Sequence, residues 1–263
     1  PQKLIGLQAF GGFPILEDTV LHQLVKTGKR KTYFAGDPLW YEYFGKDLNY
    51  VPETNGFDIK DTEVDNVPME YIRKVAKTND FDLLLGHLLG VDHMSHLKGL
   101  LDPSIATAKE KIEDFLLEII EGMDEETTLI ITGDHGAVLA GEHELDSYEE
   151  TIIPLVAYNK KGFQKYQQKD LKEVMKSLQE KKIVDQIDIA PTLAMLLGVP
   201  VPFSNLGQMI DDLYPAGKIH KSEVCPENSF AVQALYNNYA TSQQILNYLF
   251  VKEAKTKLKI FEQ

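Results

Sequence analysis

Three short, almost wholly apolar runs constrain this chain more than anything else in it. They are "FDLLLGHLLGVD" at 81–92, "TTLIIT" at 127–132 and "TIIPLVAY" at 151–158. The first is continuous rather than alternating, as expected of a strand buried on both faces in a parallel sheet. Helical segments separate such runs. "ILEDTVLHQLVKTGK" has apolar residues at helical spacing and closes near Gly28. "KTYFAGD" reads as a short strand, "PLWYEYFG" as a short helix from Pro38 to Gly45, and residues 46–66 as a polar surface loop. "VPMEYIRKVAKTND" is a helix with Pro68 in its first turn. Asp102 and Pro103 open a long helix as N-cap and first residue, with Ile105, Ala108, Ile112, Phe115, Leu116, Ile119 and Met123 on one face. "LKEVMKSLQE" and "IAPTLAMLLG" are further helices, the second with Pro191 in its first turn and Gly198 as its stop. From about Ser229 the chain reads as an amphipathic helix. Strands that alternate with helices predict an α/β fold, with a mostly parallel sheet and helices on both faces.

Two successive apolar runs end in acid–histidine clusters. The first supplies Asp92, His93 and His96; the second supplies Asp134 and His135, followed by His143 in "AGEHE". Sites in open α/β sheets form beyond the carboxyl ends of strands. One crossover helix joins these two strands, so they are expected side by side with their clusters meeting in space. Asp92 and His96 are four apart, and a turn or first helical turn places them on one side. Asp134 and His135 are adjacent and are expected to point apart, as at a site between two ions. Mixed carboxylate and imidazole donors suit zinc or another first-row divalent ion. Five ligands are too many for one catalytic ion, which keeps an open position, and about right for two. Two ions roughly 3.5–4 Å apart are the standard clamp for displacement at phosphorus. His22, His87 and His220 read as solvated histidines, and His93 is placed with them because Asp92 and His96 already use the local geometry.

Composition narrows the alternatives. The net charge of −13 over 263 residues argues against nucleic acid as a partner. Cys225 is the single cysteine, so no internal disulfide forms and thiolate metal sites are excluded. No N-x-[ST] acceptor, signal peptide or apolar run near 18 residues occurs. No Gly-rich nucleotide-binding loop and no G-x-S-x-G elbow is present. The chain opens on "PQKLIGLQAF" without an initiator Met, and reads as the interior of a longer protein.

At these residues the sequence resembles the alkaline phosphatase superfamily, and within it the GPI ethanolamine-phosphate transferases. The family's D-H-x-G-H motif after an apolar strand is matched by "LGVDHMSH", and its "GDHG" is intact at Gly133–Gly136. A family stretch of the form "PTLALLLGLPIPFGNIG" is matched by "APTLAMLLGVPVPFSNLG" at 190–207, and the family's "GDxxW" by "GDPLW" at 36–40. The likeness covers nearly the whole chain, and "PFSNLG" is most similar to the branch acting on the third mannose. It implies an alkaline-phosphatase-like luminal catalytic domain over 1–263 that lacks its N-terminal strand. It also implies two zinc ions, one held by Asp92, His96 and His143, the other by Asp134 and His135. In the family, an upstream Asp and a nucleophilic Thr complete the second ion's ligands. By its match to "QKLIGLQAFGG", that Thr is expected just before Pro1, so the chain alone is expected to be catalytically incomplete.

The implied reaction has two steps. The Thr takes phosphoethanolamine from phosphatidylethanolamine, releasing diacylglycerol, and passes it to a mannose hydroxyl of the GPI precursor. The whole protein is then anchored in the endoplasmic reticulum membrane with this domain in the lumen, and a stabilising membrane subunit is compatible with that arrangement. Departures from the pattern are Ser95 for a usual Gly, Glu144 after His143, Pro38 for an acidic residue, and "LQAFGG" for "LTTG". Two other readings stay open: a phosphodiesterase or phosphatase of the same superfamily, and a non-catalytic metal-binding relative.

Overall fold

The structure is a computed structural model. It describes residues 14–28, 31–48, 62–143, 146–163 and 182–216, together with 166, 170, 172, 173 and 176. The expected helix at 171–180, the tail after Ser229, Glu144, His220 and Cys225, and the opening segment up to residue 13 fall largely or wholly outside the described residues. The elements in chain order are α1 (Val20–Lys26), β1 (Thr32–Ala35), α2 (Leu39–Phe44), α3 (Asn66–Ala76), β2 (Leu83–Gly86), α4 (Gly90–Lys98), α5 (Pro103–Gly122), β3 (Leu129–Thr132), α6 (Tyr148–Thr151), β4 (Leu155–Tyr158) and α7 (Ile189–Leu197). They fall into two compact units. One contains residues 29–158, and the other joins 17–28 to the chain from 159 onward.

In the first unit β1 and β2 pair in parallel, Thr32 opposite Leu83 through Ala35 opposite Gly86. Helix α3 is the crossover between them. It buries Pro68, Met69, Ile72 and Val75, and packs on both strands. Ala35, Met69, Ile72 and Phe115 form a cluster, with Leu84, Ile112, Leu116 and Ile119 packed against it. The predicted apolar face of α5 is thus the face that packs into this core against α3 and α4. Arg73 of α3 lies 5.0 Å over the Phe115 ring and pairs with Glu118, which ties the two helices together at their edge.

Three expectations are revised. The first apolar run is a strand only to Gly86; from Gly90 it is helix α4, so Asp92 and His96 stand on a helix rather than a strand end. The reason is tertiary, because a carboxylate from another segment receives the amides of Leu89 and Gly90. Second, no ladder joins β2 to β3 among the described residues. β3 instead pairs antiparallel with β4, Leu129 opposite Tyr158. Among the described residues the link from β3 to β4 has one helix, the single-turn α6, and an antiparallel return needs no long crossover. Third, "TIIPLVAY" is strand only from Leu155, and its Val156 is exposed. The α/β class itself stands, carried by the β1–α3–β2 unit.

The second unit rests on α7. Gly198 terminates it in the left-handed conformation, φ +66°, as its sequence predicts. Thr192 is 2 % exposed; its hydroxyl donates to the Asp188 carbonyl and accepts the Ile210 amide at 2.9 Å. Asp188 accepts the Gln208 amide at 2.7 Å. The segment "PFSNLGQMI" is therefore pinned to the helix start by two residues of "DIAPT". Asp18 accepts from Phe203, Gln23 and Lys26, and these contacts outweigh burial to lower its carboxyl pKa. Among the described residues no helix is long and apolar enough to cross a membrane.

Phe115 is 3 % exposed, whereas Leu117, two residues on, is 52 % exposed. Phe115→Ala should cost about 3–5 kcal/mol and Leu117→Ala under about 0.5 kcal/mol, read as the shift of the urea midpoint at constant slope.

Candidate functional site

Helix α4 presents Asp92 and His96 one turn apart, and the chain after β3 returns to meet them. The return is a tight turn in which Val138 and Glu142 bond through their backbones and the Gly141 amide donates to Val138. The Leu139 carbonyl accepts from Leu100, beyond the end of α4. Gly141 has φ +89°, and a Cβ there would overlap the Ser95 carbonyl oxygen. Only a glycine lets the loop lie on the α4 backbone at this point, and that contact delivers His143 to the helix.

The result is a triad. His96 Nε2 and His143 Nε2 are 2.9 Å apart, and Asp92 Oδ1 lies 3.4 Å from the first and 3.5 Å from the second. Bonds near 2.0–2.1 Å to a tetrahedral ion place neighbouring ligand atoms about 3.3 Å apart, so these spacings are those of a coordination edge. Two imidazole nitrogens at 2.9 Å are joined either by an N–H of one ring donating to the other or by a shared metal ion. The donor set therefore fits a divalent ion: one carboxylate and two imidazoles, with no fourth protein ligand assigned among the described residues.

His135 extends the cluster. Its ring stacks on that of His143, centroids 3.7 Å apart and 21° between planes. The expectation that Asp134 and His135 point apart is not met. His135 Nε2 turns back to 3.6 Å from Asp134 Oδ2, while its amide donates to Asp134 Oδ1 at 3.0 Å. His135 Nδ1 lies 3.0 Å from the Gly136 carbonyl, which fixes the ring and leaves Nε2 facing the carboxylate. All five predicted site residues thus gather in one unit, as two adjoining groups.

His87 is the residue that sequence reasoning missed. It is not a solvated loop histidine. The Trp40 indole N–H donates to His87 Nδ1 at 3.1 Å, and His87 Nε2 faces Asp134 Oδ2 at 3.8 Å. Trp40 in turn stacks on Phe34 of β1 at 5.0 Å. An indole N–H only donates, so the His87 proton belongs on Nε2, toward the carboxylate. Asp134 raises the His87 pKa and burial lowers it. The usable signal was "GDPLW": a Trp beyond a neighbouring parallel strand, at the same carboxyl edge as His87. His93 sits on α4 with its Nδ1 enclosed and without a hydrogen-bond partner among the described residues. His22 lies on α1 and is half-buried rather than solvated.

The His87 imidazole, with help from His135, holds the Asp134 carboxyl down at about 2 against the opposing effect of burial. A depressed carboxyl stabilises the fold above its unfolded pKa, about 3.9, and loses that stabilisation as pH falls toward 2. In metal-free protein the Asp134 carboxyl carbon should titrate near 2 by NMR, and His87→Gln should move the midpoint toward about 3.9.

The family model for type I phosphodiesterase / nucleotide pyrophosphatase matches residues 23–190, well over half the chain. The chain is 29 % identical over 251 residues to the mouse GPI ethanolamine phosphate transferase 3 catalytic subunit, covering 94 % of this chain and 22 % of the relative. It is 34 % identical over 214 residues to GPI ethanolamine phosphate transferase 3 of Eremothecium gossypii, covering 78 % and 21 %. Against the human GPI ethanolamine phosphate transferase 2 catalytic subunit it is 32 % identical over 204 residues, covering 74 % and 20 %. The chain spans about a fifth of the length of these curated relatives. Metal-type ligands gathered beyond an α/β sheet, and a family match that runs through all five of them, have one common explanation: the chain belongs to the type I phosphodiesterase / nucleotide pyrophosphatase family.

Proposed function

We propose that this chain is the metal-binding part of the catalytic domain of a GPI ethanolamine phosphate transferase. The observation that carries the reading is the convergence of Asp92, His96 and His143, from segments 47 residues apart, in a chain whose relatives bear that name. On this reading Asp92, His96 and His143 hold one zinc ion, and Asp134 and His135 contribute to a second. When bound, such ions neutralise phosphoryl charge and lower the pKa of a coordinated hydroxyl. The chain's own residues do the rest. Asp92 and Asp134 supply negative charge that concentrates cations. The His135 Nδ1 contact with Gly136 orients that ring, and His87, held by Trp40, orients the Asp134 carboxylate.

On this reading the transferred group is phosphoethanolamine, from phosphatidylethanolamine to a mannose of the GPI precursor. The whole protein then sits in the endoplasmic reticulum membrane with this domain in the lumen. A hydrolytic reading has one specific observation in its favour, which is that the matching family model is named for phosphodiesterases.

The two readings separate by product. Full-length protein given phosphatidylethanolamine and a mannose-bearing GPI precursor should label the precursor, and Asp92→Asn or His135→Ala should lower the rate by at least about 100-fold. Release of free phosphoethanolamine into water, unaffected by the acceptor, is the outcome that favours the phosphodiesterase.

A further inference from the structure

Helix α4 starts inside the protein, where its first amides have no helical carbonyl to bond. Its own N-cap position is Leu89, which has no side chain able to accept them. The acceptor comes from elsewhere. Asp65 takes the Leu89 amide on Oδ1 at 2.8 Å and the Gly90 amide on Oδ2 at 3.0 Å. Both carboxylate oxygens are used, one per amide. Asp65 is 4 % exposed, and burial pushes its carboxyl pKa up while the two amides pull it down. It also occupies the N-cap position of α3, yet its side chain makes no cap there. It serves the other helix. Gly90 completes the fit, because a Cβ there would stand 2.5 Å from Asp65 Oδ2.

The consequence lies two and six residues further along. A helix turns about 100° and rises about 1.5 Å per residue, so a slip of one residue at Gly90 would swing both Asp92 and His96 off His143. A forked carboxylate on two successive amides fixes rotation and translation together, which a single hydrogen bond does not. At the other end of α4 the Gly141 loop rests on the Ser95 carbonyl and brings His143 in. The helix is thus located at its start by Asp65 and read at its end by His143.

We propose that Asp65 is a positioning residue for the metal-ligating pair Asp92 and His96. The inference rests on the reading of Asp92, His96 and His143 as one ligand set. Asp65 touches none of the three; it acts through the α4 backbone, with Gly90 as its necessary partner.

The test is cobalt(II) binding by the full chain after metal removal, followed through the visible ligand-field bands, with thermal unfolding of the metal-free protein alongside. Asp65→Asn keeps the shape but replaces one of the two acceptor oxygens with an amide. It should weaken cobalt binding about 10–100-fold and alter the bands, because the ligands lose their alignment. Gly90→Ala should do the same. Phe115→Ala, a core variant that removes no hydrogen bond of the Asp65 carboxylate, should lower the unfolding temperature at least as much yet leave cobalt affinity within about twofold. If Asp65→Asn binds cobalt as wild type does while His96→Ala does not, Asp65 is only a structural cap and the inference is overturned. If wild type binds no better than His96→Ala, the ligand reading itself fails and takes the inference with it.

Discussion

The site depends on one backbone contact, the close approach of Gly141 to the carbonyl of Ser95. His96 and His143 are separated by 47 residues and two elements of secondary structure. Because a glycine lies on the helix, the imidazole nitrogens come within 2.9 Å. The second group follows, since His135 stacks on His143 and so inherits its position. Like-charged or lone-pair-bearing groups held this close are unfavourable unless a cation or proton lies among them. The geometry of this cluster fits a cation held among Asp92, His96 and His143.

Support for the cluster is graded by distance from it. Innermost are Asp92, His96, His143, Asp134 and His135. Next come the groups that turn them: the Gly136 carbonyl on His135, and His87 on Asp134 with Trp40 behind it. Further out, Phe34 of β1 holds Trp40, and α3 closes over β1 and β2. The parallel β1–β2 pair therefore does two jobs. It carries the core of the first unit, and it brings Trp40, on α2 just after β1, against His87, just after β2, which in turn faces the Asp134 carboxylate.

The segment at 190–207 shows the same economy without any metal-type ligand. The structure gives it mechanical work: Asp188 and Thr192 clamp the amides of Gln208 and Ile210, and Gly198 ends the helix. What the segment leaves outward includes Phe203 and Leu206, both substantially exposed.

The amino-acid order alone determined the pieces. Apolar periodicity located α5 and its buried side, Asp102–Pro103 and Gly198 marked helix ends by local capping chemistry, and the acid–histidine spacing picked out Asp92, His96 and His143, which meet, with Asp134 and His135 adjoining them through the His135–His143 ring stack. These signals were legible because each is set by neighbours within one or two turns. Tertiary structure decided what local rules could not. An apolar run of twelve residues reads equally well as strand or buried helix, and only the Asp65 carboxylate, 24 residues away, converts its second half into α4. Asp65 reads locally as part of a polar surface loop, yet it is buried and its carboxylate caps α4. His87 reads as a loop histidine until Trp40 and Asp134 close on it. In each case the deciding partner is distant in the chain, and a hydrogen bond to a distant partner leaves no periodic trace in the sequence around it.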